Sequence, residues 1–226
     1  MDFKYYIIER TKDWTIFKKG KNIRVAFNDI KRCANKDGLE LKDSYIDLKQ
    51  REQSIIKYAK ILDKIYRSGG FKIHGCGIKI RHGGYLFVGP SGAGKTTISR
   101  LANREKKILN DDEIIISKDR LGFTMLIVKQ QKKFSPHLAI ECCRLKRVYF
   151  LKKSFQNKAI LIKQRDAFLN IIKHSKWKFT RNVSDGKIFL KVCAELTKMT
   201  PCYILEFLPS PSIWRYLDNA HSCKGI

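Results

Sequence analysis

The sequence predicts an α/β domain with a mixed β-sheet flanked by helices, carrying a small β-rich N-terminal extension. Three observations predict it. Short runs rich in β-branched and aromatic residues outnumber the stretches of helical spacing, a glycine-rich loop follows the apolar run Tyr85–Val88, and "TTISRLAN" resumes helical spacing directly after that loop. The strands surround this one strand–loop–helix unit, an arrangement that favours a mixed sheet. A chain of 226 residues can bury one sizeable core. The expected division is an extension with a helix at 1–70, packed on the main domain at 71–226.

In chain order, "KYYIIER", "DWTIFKKG" and "IRVAF" are strand-like and end at Gly20–Lys21 and at "NKDG", residues 35–38. Residues 51–68 place Ile55, Tyr58, Ile61, Leu62 and Ile65 on one helical face, and Gly69–Gly70 supplies the stop. "FKIHGCGIKI" and "GYLFVG" read as two strands joined at His82–Gly84, and a helix is expected from about Lys95 to Arg104. Strands follow at 107–111, 113–117 and 123–129, with a turn at Asp119–Gly122, and two more at 147–152 and 158–163. "QRDAFLNIIKHS" and "KIFLKVCAELTK" have helical spacing, "CYILEFL" is a strand, and Ser210–Pro211 opens a last short helix containing Trp214.

The composition, 43% apolar and 30% charged, suits a soluble globular chain rather than a disordered one. No window approaches the ~18 consecutive apolar residues of a membrane span. "MDFKYYIIER" lacks a cationic leader and a small-residue cleavage site, so the expected location is cytoplasmic. Seven cysteines without a CxxC pair argue against a metal site or a disulfide framework and for buried or half-buried free thiols. The 47 Lys+Arg against 21 Asp+Glu give a net charge of +26, spread along the chain. Such a surplus attracts polyanions, and it equally describes a solvated basic surface.

The chemistry is carried by Gly89-Pro90-Ser91-Gly92-Ala93-Gly94-Lys95-Thr96, which satisfies G-x-x-x-x-G-K-[ST] at every fixed position and is followed by Thr97. Successive backbone N–H groups must curl around a phosphate, and a β-carbon at the glycines would block that approach. Lys95 is placed to reach the β- and γ-phosphates, and the Thr96 hydroxyl to ligate Mg²⁺. The pattern points to a nucleoside triphosphate with magnesium and leaves the reaction open.

Beyond the loop, "KKILNDDEIIIS" carries Asp111 and Asp112 at the end of a strand expected to return beside the loop's own strand. One carboxylate there can support Mg²⁺ while the other accepts the proton of an attacking hydroxyl. An acidic turn between two strands is the plainer reading of the same residues. His74, in "IHGCG", falls on a strand expected next to Tyr85–Val88, where it could bond an aspartate and set its charge state. A satisfied histidine at a sheet edge is the plainer reading. His82, His137, His174 and His221 show no partner pattern.

Residues 71–117, "FKIHGCGIKIRHGGYLFVGPSGAGKTTISRLANREKKILNDDEIIIS", resemble the catalytic core of HPr kinase/phosphorylase, and more closely its compact relatives. That core has a strand ending in His-Gly or His-Ala, a Walker A loop, then a strand ending in Asp-Asp. A looser similarity runs on to about residue 220, through "RLKRVYFLKK" and "TPCYILEFLPSPSIWRYLD". The resemblance implies a P-loop domain with a fold related to phosphoenolpyruvate carboxykinase. It also implies a Mg²⁺-ATP-dependent kinase that phosphorylates a serine of a small protein or peptide, and assembly into oligomers. The family's phosphate loop falls on Gly89–Thr96, its magnesium hydroxyl on Thr96, its aspartate pair on Asp111 and Asp112, and its histidine on His74. Asp111 is favoured as general base, with Asp112 on the metal. The chain departs from the family in lacking the Glu/Arg–Gly–Leu–Gly segment, and with it the support for phosphorolysis and for HPr as acceptor. "FSPHLAIECC" also stands where the compact relatives carry a different loop.

The expected cofactors are therefore ATP and Mg²⁺, and the expected partner is a small protein or peptide, an acidic one if the surplus lysines serve to attract it. Two other functions fit the same loop: a small-molecule kinase, and a nucleotide-binding module without phosphotransfer whose basic face docks an acidic partner or nucleic acid.

Overall fold

β-Branched and aromatic runs, broken by glycine, form the strands nearly where the pattern puts them. The computed structural model describes residues 6–10, 14–19, 22–27, 60–62, 64–81, 83–102, 106–130, 138–176 and 183–222. The turns expected at 20–21 and 35–38, the first half of the 51–68 helix with Ile55 and Tyr58, His82 and His137 lie outside the described residues. The chain divides into two compact units: residues 1–64, 128–140 and 178–184 in one, and 65–127, 141–177 and 185–226 in the other.

In the first unit, β1 (Tyr6–Arg10), β2 (Trp14–Lys19) and β3 (Asn22–Phe27) form an antiparallel sheet in sequence order. Residues 60–62 and 64–67 are helical, and the division between the units falls within this helix, after Lys64. This helix stops as its sequence predicts: Gly69 takes a φ of 82°, its N–H donates to the Tyr66 carbonyl, and Gly70 N–H donates to that of Ile65.

The larger sheet contains β4 (Phe71–Ile80), β5 (Gly83–Val88), β6 (Lys107–Asn110), β7 (Glu113–Asp119), β8 (Gly122–Gln130), β9 (Leu138–Lys153), β10 (Lys158–Leu161) and β11 (Cys202–Phe207). The helices are α1 (Lys95–Arg100), α2 (Gln164–His174), α3 (Val183–Met199) and α4 (Ser212–Ser222). The strand order is β10-β11-β9-β5-β4-β7-β8, with β6 also pairing β4. β11, β9 and β5 are mutually parallel, while β10–β11, β5–β4, β4–β6, β4–β7 and β7–β8 are antiparallel, so the sheet is mixed as expected.

Alternation along the strands, shifted once in β9 between Leu145 and Arg147, sends side chains to two cores. Leu86 and Val88 of β5 join Phe71, Ile73, Val148 and Phe150 in the core that also holds Ala167 and Ile171 of α2 and Phe189, Val192 and Leu196 of α3. Tyr85 and Phe87 face the other way, onto Cys76, Tyr149, Ile98 of α1 and Ile213, Trp214 and Leu217 of α4. Phe87 stacks on Tyr149 with centroids 5.4 Å apart and meets Trp214 edge-on at 5.7 Å. His74 shares its strand parity with Cys76 and so lies on the α1 side of the sheet.

Some boundaries move. β5 begins at Gly83, inside the expected turn. β9 starts at Leu138, well before Arg147, because "LAIECCRLK" continues the ladder through residues with little apolar contrast. Among the described residues no helix is long and apolar enough to cross a membrane. Cys76, Cys143, Cys193 and Cys202 are buried free thiols and Cys142 is an exposed one, while Cys33 and Cys223 lie outside the described residues.

Candidate functional site

β5 delivers the chain into the loop at Gly89. Gly92 (φ 76°) and Gly94 (φ 105°) take the left-handed conformation that favours glycine, and Gly94 caps α1. A β-carbon on Gly89 would come within 2.7 Å of Ala93 Cβ, and one on Gly94 within 2.4 Å of the Phe207 ring. The curl is closed by Ala93 N–H donating to the Pro90 carbonyl, and α1 starts with Ile98 N–H on the Gly94 carbonyl. Pro90, Ser91, Gly92 and Thr96 are exposed or half-buried, Thr97 is half-buried and Lys95 is buried.

Lys95 folds back over its own loop, Nζ donating to the Gly89 and Pro90 carbonyls at 2.8 and 3.0 Å. Burial pushes its ammonium below the ordinary lysine range, and Asp112 and the Cys76 sulfur pull it back. Buried Cys76 is pushed up to about 12, mainly by burial, then by Asp111, with Lys95 opposing. The phosphate-loop lysine and both aspartates therefore share one electrostatic neighbourhood.

The acidic pair sits at a break in a ladder. β6 and β7 run in one line along the same edge of β4, with Asn110 opposite Gly77 and Glu113 opposite His74. Asp111 and Asp112 fill the gap between them. Asn110 Oδ1 accepts the Asp111 N–H at 2.8 Å and the Asp112 N–H at 3.4 Å, and Gly75 N–H donates to the Asp112 carbonyl at 3.0 Å. Irregular pairing of this kind re-aims side chains. Both aspartates are exposed.

The expected position of this strand is corrected. The neighbours of Val88 are Gly75 on β4 and Phe150 on β9, so the aspartate strand does not return beside the loop's strand but lies one strand further out. The tight β4–β5 hairpin takes one side of β5 and β9 takes the other, leaving the far edge of β4. The backbones of β5 and the acidic line are thus roughly 10 Å apart, two strand spacings.

His74 lies on β4 next to the loop's strand, as its position in the sequence suggests. Its Nδ1 comes within 3.0 Å of Asp112 Oδ1, but off hydrogen-bond alignment, so the buried Nδ1 has no aligned partner among the described residues. Glu113, paired across from His74, is bound by Lys72 at 2.9 Å and Lys176 at 2.8 Å. Burial pushes its carboxyl up, but these two bonds outweigh it and hold the group below the usual range. His174, at the end of α2, is pushed down by burial and by Lys173, Lys95 and His74. Sequence reasoning passed over Asn110, Glu113 and Phe207 and found no partner pattern for His174. Only Asn110, a turn-forming residue before two acids, gave a local signal.

The loop geometry fits a phosphate, and Thr96 and exposed Asp112 offer oxygens of the kind Mg²⁺ takes. Among the described residues no group of three or more His, Cys, Asp or Glu could hold a metal. Mg²⁺ binds through one or two carboxylates together with substrate phosphates.

No family model matches the chain. Over 88 residues, 35% of this chain, it is 34% identical to the choline transport ATP-binding protein OpuBA of Bacillus subtilis (strain 168). The chain spans only 23% of that protein's length. The structure of the HPr(Ser) kinase/phosphatase from Coxiella burnetii is similar over 69% of this chain and 99% of that one, with a TM-score of 0.34 and 11% identity. A likeness of that degree decides nothing about fold or activity. What this chain has on its own residues is a Walker-type strand–loop–helix unit in a mixed α/β sheet, with an acidic pair one strand away.

Proposed function

We propose that this chain is a Mg²⁺-ATP-dependent kinase that transfers the γ-phosphoryl group to a serine hydroxyl of a small protein or peptide. The observation that carries the reading is the joint placement of Lys95, Asp111 and Asp112 around one intervening strand: Asp112 acts on the Lys95 ammonium, and Asp111 and Lys95 both act on Cys76 of β4. The 88-residue likeness to a protein named as ATP-binding supports the nucleotide half.

In this mechanism the Gly89–Gly94 backbone cradles the phosphates, and Lys95 swings from its loop carbonyls onto the β- and γ-oxygens. Thr96 and Asp112 would hold Mg²⁺, which would supply positive charge against that developing on the phosphates. Asp111 accepts the serine proton as the oxygen attacks the γ-phosphorus and the bond to the β-bridging oxygen breaks, releasing ADP. His74 stands beside Asp112, its Nδ1 3.0 Å from Oδ1, and would steady it once a small rotation aligns the two. Positioning and electrostatic stabilisation do most of the work.

The test supplies radiolabelled Mg²⁺-ATP and a library of serine peptides, acidic sequences included. Asp111→Asn should cut transfer by about 10²–10⁴ while ATP still binds. Full transfer by both Asp111→Asn and Asp112→Asn would overturn the assignment. ATP binding with no transfer to any peptide or small alcohol would favour the nucleotide-binding module.

A further inference from the structure

The end of the sheet that carries the phosphate loop has a second feature, on the flank away from the acidic pair. β5, β9 and β11 are parallel, so the turns that follow them emerge together. In open α/β sheets, ligands gather outside the carboxyl ends of such strands. The turn after β9 carries Phe155, whose side chain is 99% exposed. Exposure alone would mean little, since single apolar residues are common on surfaces. Leu121, 83% exposed on a turn elsewhere, is one of that kind.

Two things set Phe155 apart. The first is position. Phe207 lies against the loop, because a β-carbon on Gly94 would come within 2.4 Å of its ring. The Phe207 carbonyl accepts the N–H of Ser154, the residue directly before Phe155. A β-carbon on Gly89 would likewise meet Leu151 Cβ at 3.6 Å, and the four residue steps from Leu151 to Phe155 span at most about 14 Å of chain.

The second is rigidity. Beyond Phe155, Gln156 N–H donates to Ser154 Oγ, and Asn157 fastens the turn to the loop after β11. Asn157 Oδ1 accepts from Leu208 N–H at 2.9 Å, and its Nδ2 donates to Ser212 Oγ at 3.1 Å. The backbone is held on both sides of a ring that the fold leaves bare.

We propose that Phe155 is the platform on which the base of the bound nucleotide stacks. The inference rests on the reading of Gly89–Thr96 as a nucleotide loop and adds where the nucleoside goes. The strand order dictates the direction. A triphosphate seated in the loop with its terminal phosphorus toward Asp111 and Asp112, on the β4 side, runs its other end toward β9 and β11. Leu208, exposed on the loop after β11, adds apolar surface there. The oxygen and nitrogen of the nearby Asn157 amide are already engaged with the fold. A π-face accepts any base, so the platform discriminates little between adenine and guanine.

The test is calorimetric titration of the full chain with Mg²⁺ complexes of ATP, GTP and tripolyphosphate. Phe155→Ala should weaken ATP and GTP each about tenfold and leave tripolyphosphate within about twofold, and Phe155→Trp should restore both nucleotides. Unchanged ATP affinity in Phe155→Ala would overturn the platform and leave the loop reading intact. An equal loss for tripolyphosphate would also overturn it, by making Phe155 a support of the loop. If the unaltered chain bound neither ATP nor tripolyphosphate, the loop reading itself would fall, and the platform with it.

Discussion

The indole Nε1 of Trp214 donates to the carbonyl oxygen of Ile98 at 3.2 Å, a buried bond that ties α4 to the helix following the phosphate loop. The bond falls where α1 runs out: Leu101 N–H reaches back to Thr97 and Ala102 N–H to Ser99. Trp214 also meets Phe87 edge-on, and Lys106 Nζ stands 5.1 Å from its ring centre.

Trp214→Phe should keep most of the packing and lose about 1 kcal/mol with the hydrogen bond. Trp214→Ala should lose about 3–5 kcal/mol. Urea unfolding of the three proteins checks the ranking, and equal losses would mean that the hydrogen bond contributes nothing separable.

The two left-handed glycines of the loop should respond differently. Nothing lies within 4 Å of a β-carbon on Gly92, whereas one on Gly94 meets the Phe207 ring at 2.4 Å. Gly92→Ala should cost the backbone penalty alone, about 1–2 kcal/mol. Gly94→Ala should cost about 1–3 kcal/mol more from overpacking. A Gly92 variant less stable than the Gly94 variant would contradict the placement of Phe207.

Glu113 gives a pH dependence. Its folded carboxyl lies below the ordinary value because the bonds to Lys176 and Lys72 outweigh burial. A depressed acid contributes stability above its unfolded pKa, about 4.3, and loses it as pH falls through the lower folded value. The native chain should therefore be more stable than Glu113→Gln at neutral pH, with the gap closing below about pH 4.3. Unfolding midpoints measured across the acid range decide it; a gap that widens in acid would reverse the sign.

The thiols should label in a set order. Burial pushes Cys76, Cys193 and Cys202 up to about 12 and, as the largest influence, Cys143 up to about 11. Cys142 is exposed. At neutral pH Cys142 should alkylate at least about tenfold faster than its neighbour Cys143, as read by peptide mass mapping. Comparable rates would mean that this part of β9 opens to solvent.

Much of this was legible in the sequence. The strands at 71–80, 113–119 and 202–207 announce themselves by β-branched and aromatic density, and the loop by its glycines and lysine. The helix ending before Gly69 and the tight turn into Gly122 (φ 124°) follow from residue chemistry alone. The lateral order of strands was not legible. Spacing along the chain places Asp111 near the loop, but only the pairings decide that β4 lies between them. The early start of β9 was hidden because "ECCR" alternates too weakly to mark a strand. Phe207 gave no local sign that it would lie against Gly94, since that meeting depends on β11 pairing beside β9.

The ladder break at Asp111–Asp112 is fastened at both ends, by Asn110 opposite Gly77 on one side and Glu113 opposite His74 on the other. The reach from acid to lysine is thereby inherited from main-chain spacing and owes little to any one side chain. Side-chain changes on β4 that keep its buried positions apolar leave that reach constant. Gly75 and Gly77 are the exceptions, since a methyl group on either would press on the Phe87 carbonyl or on Ile114 and pry the strands apart.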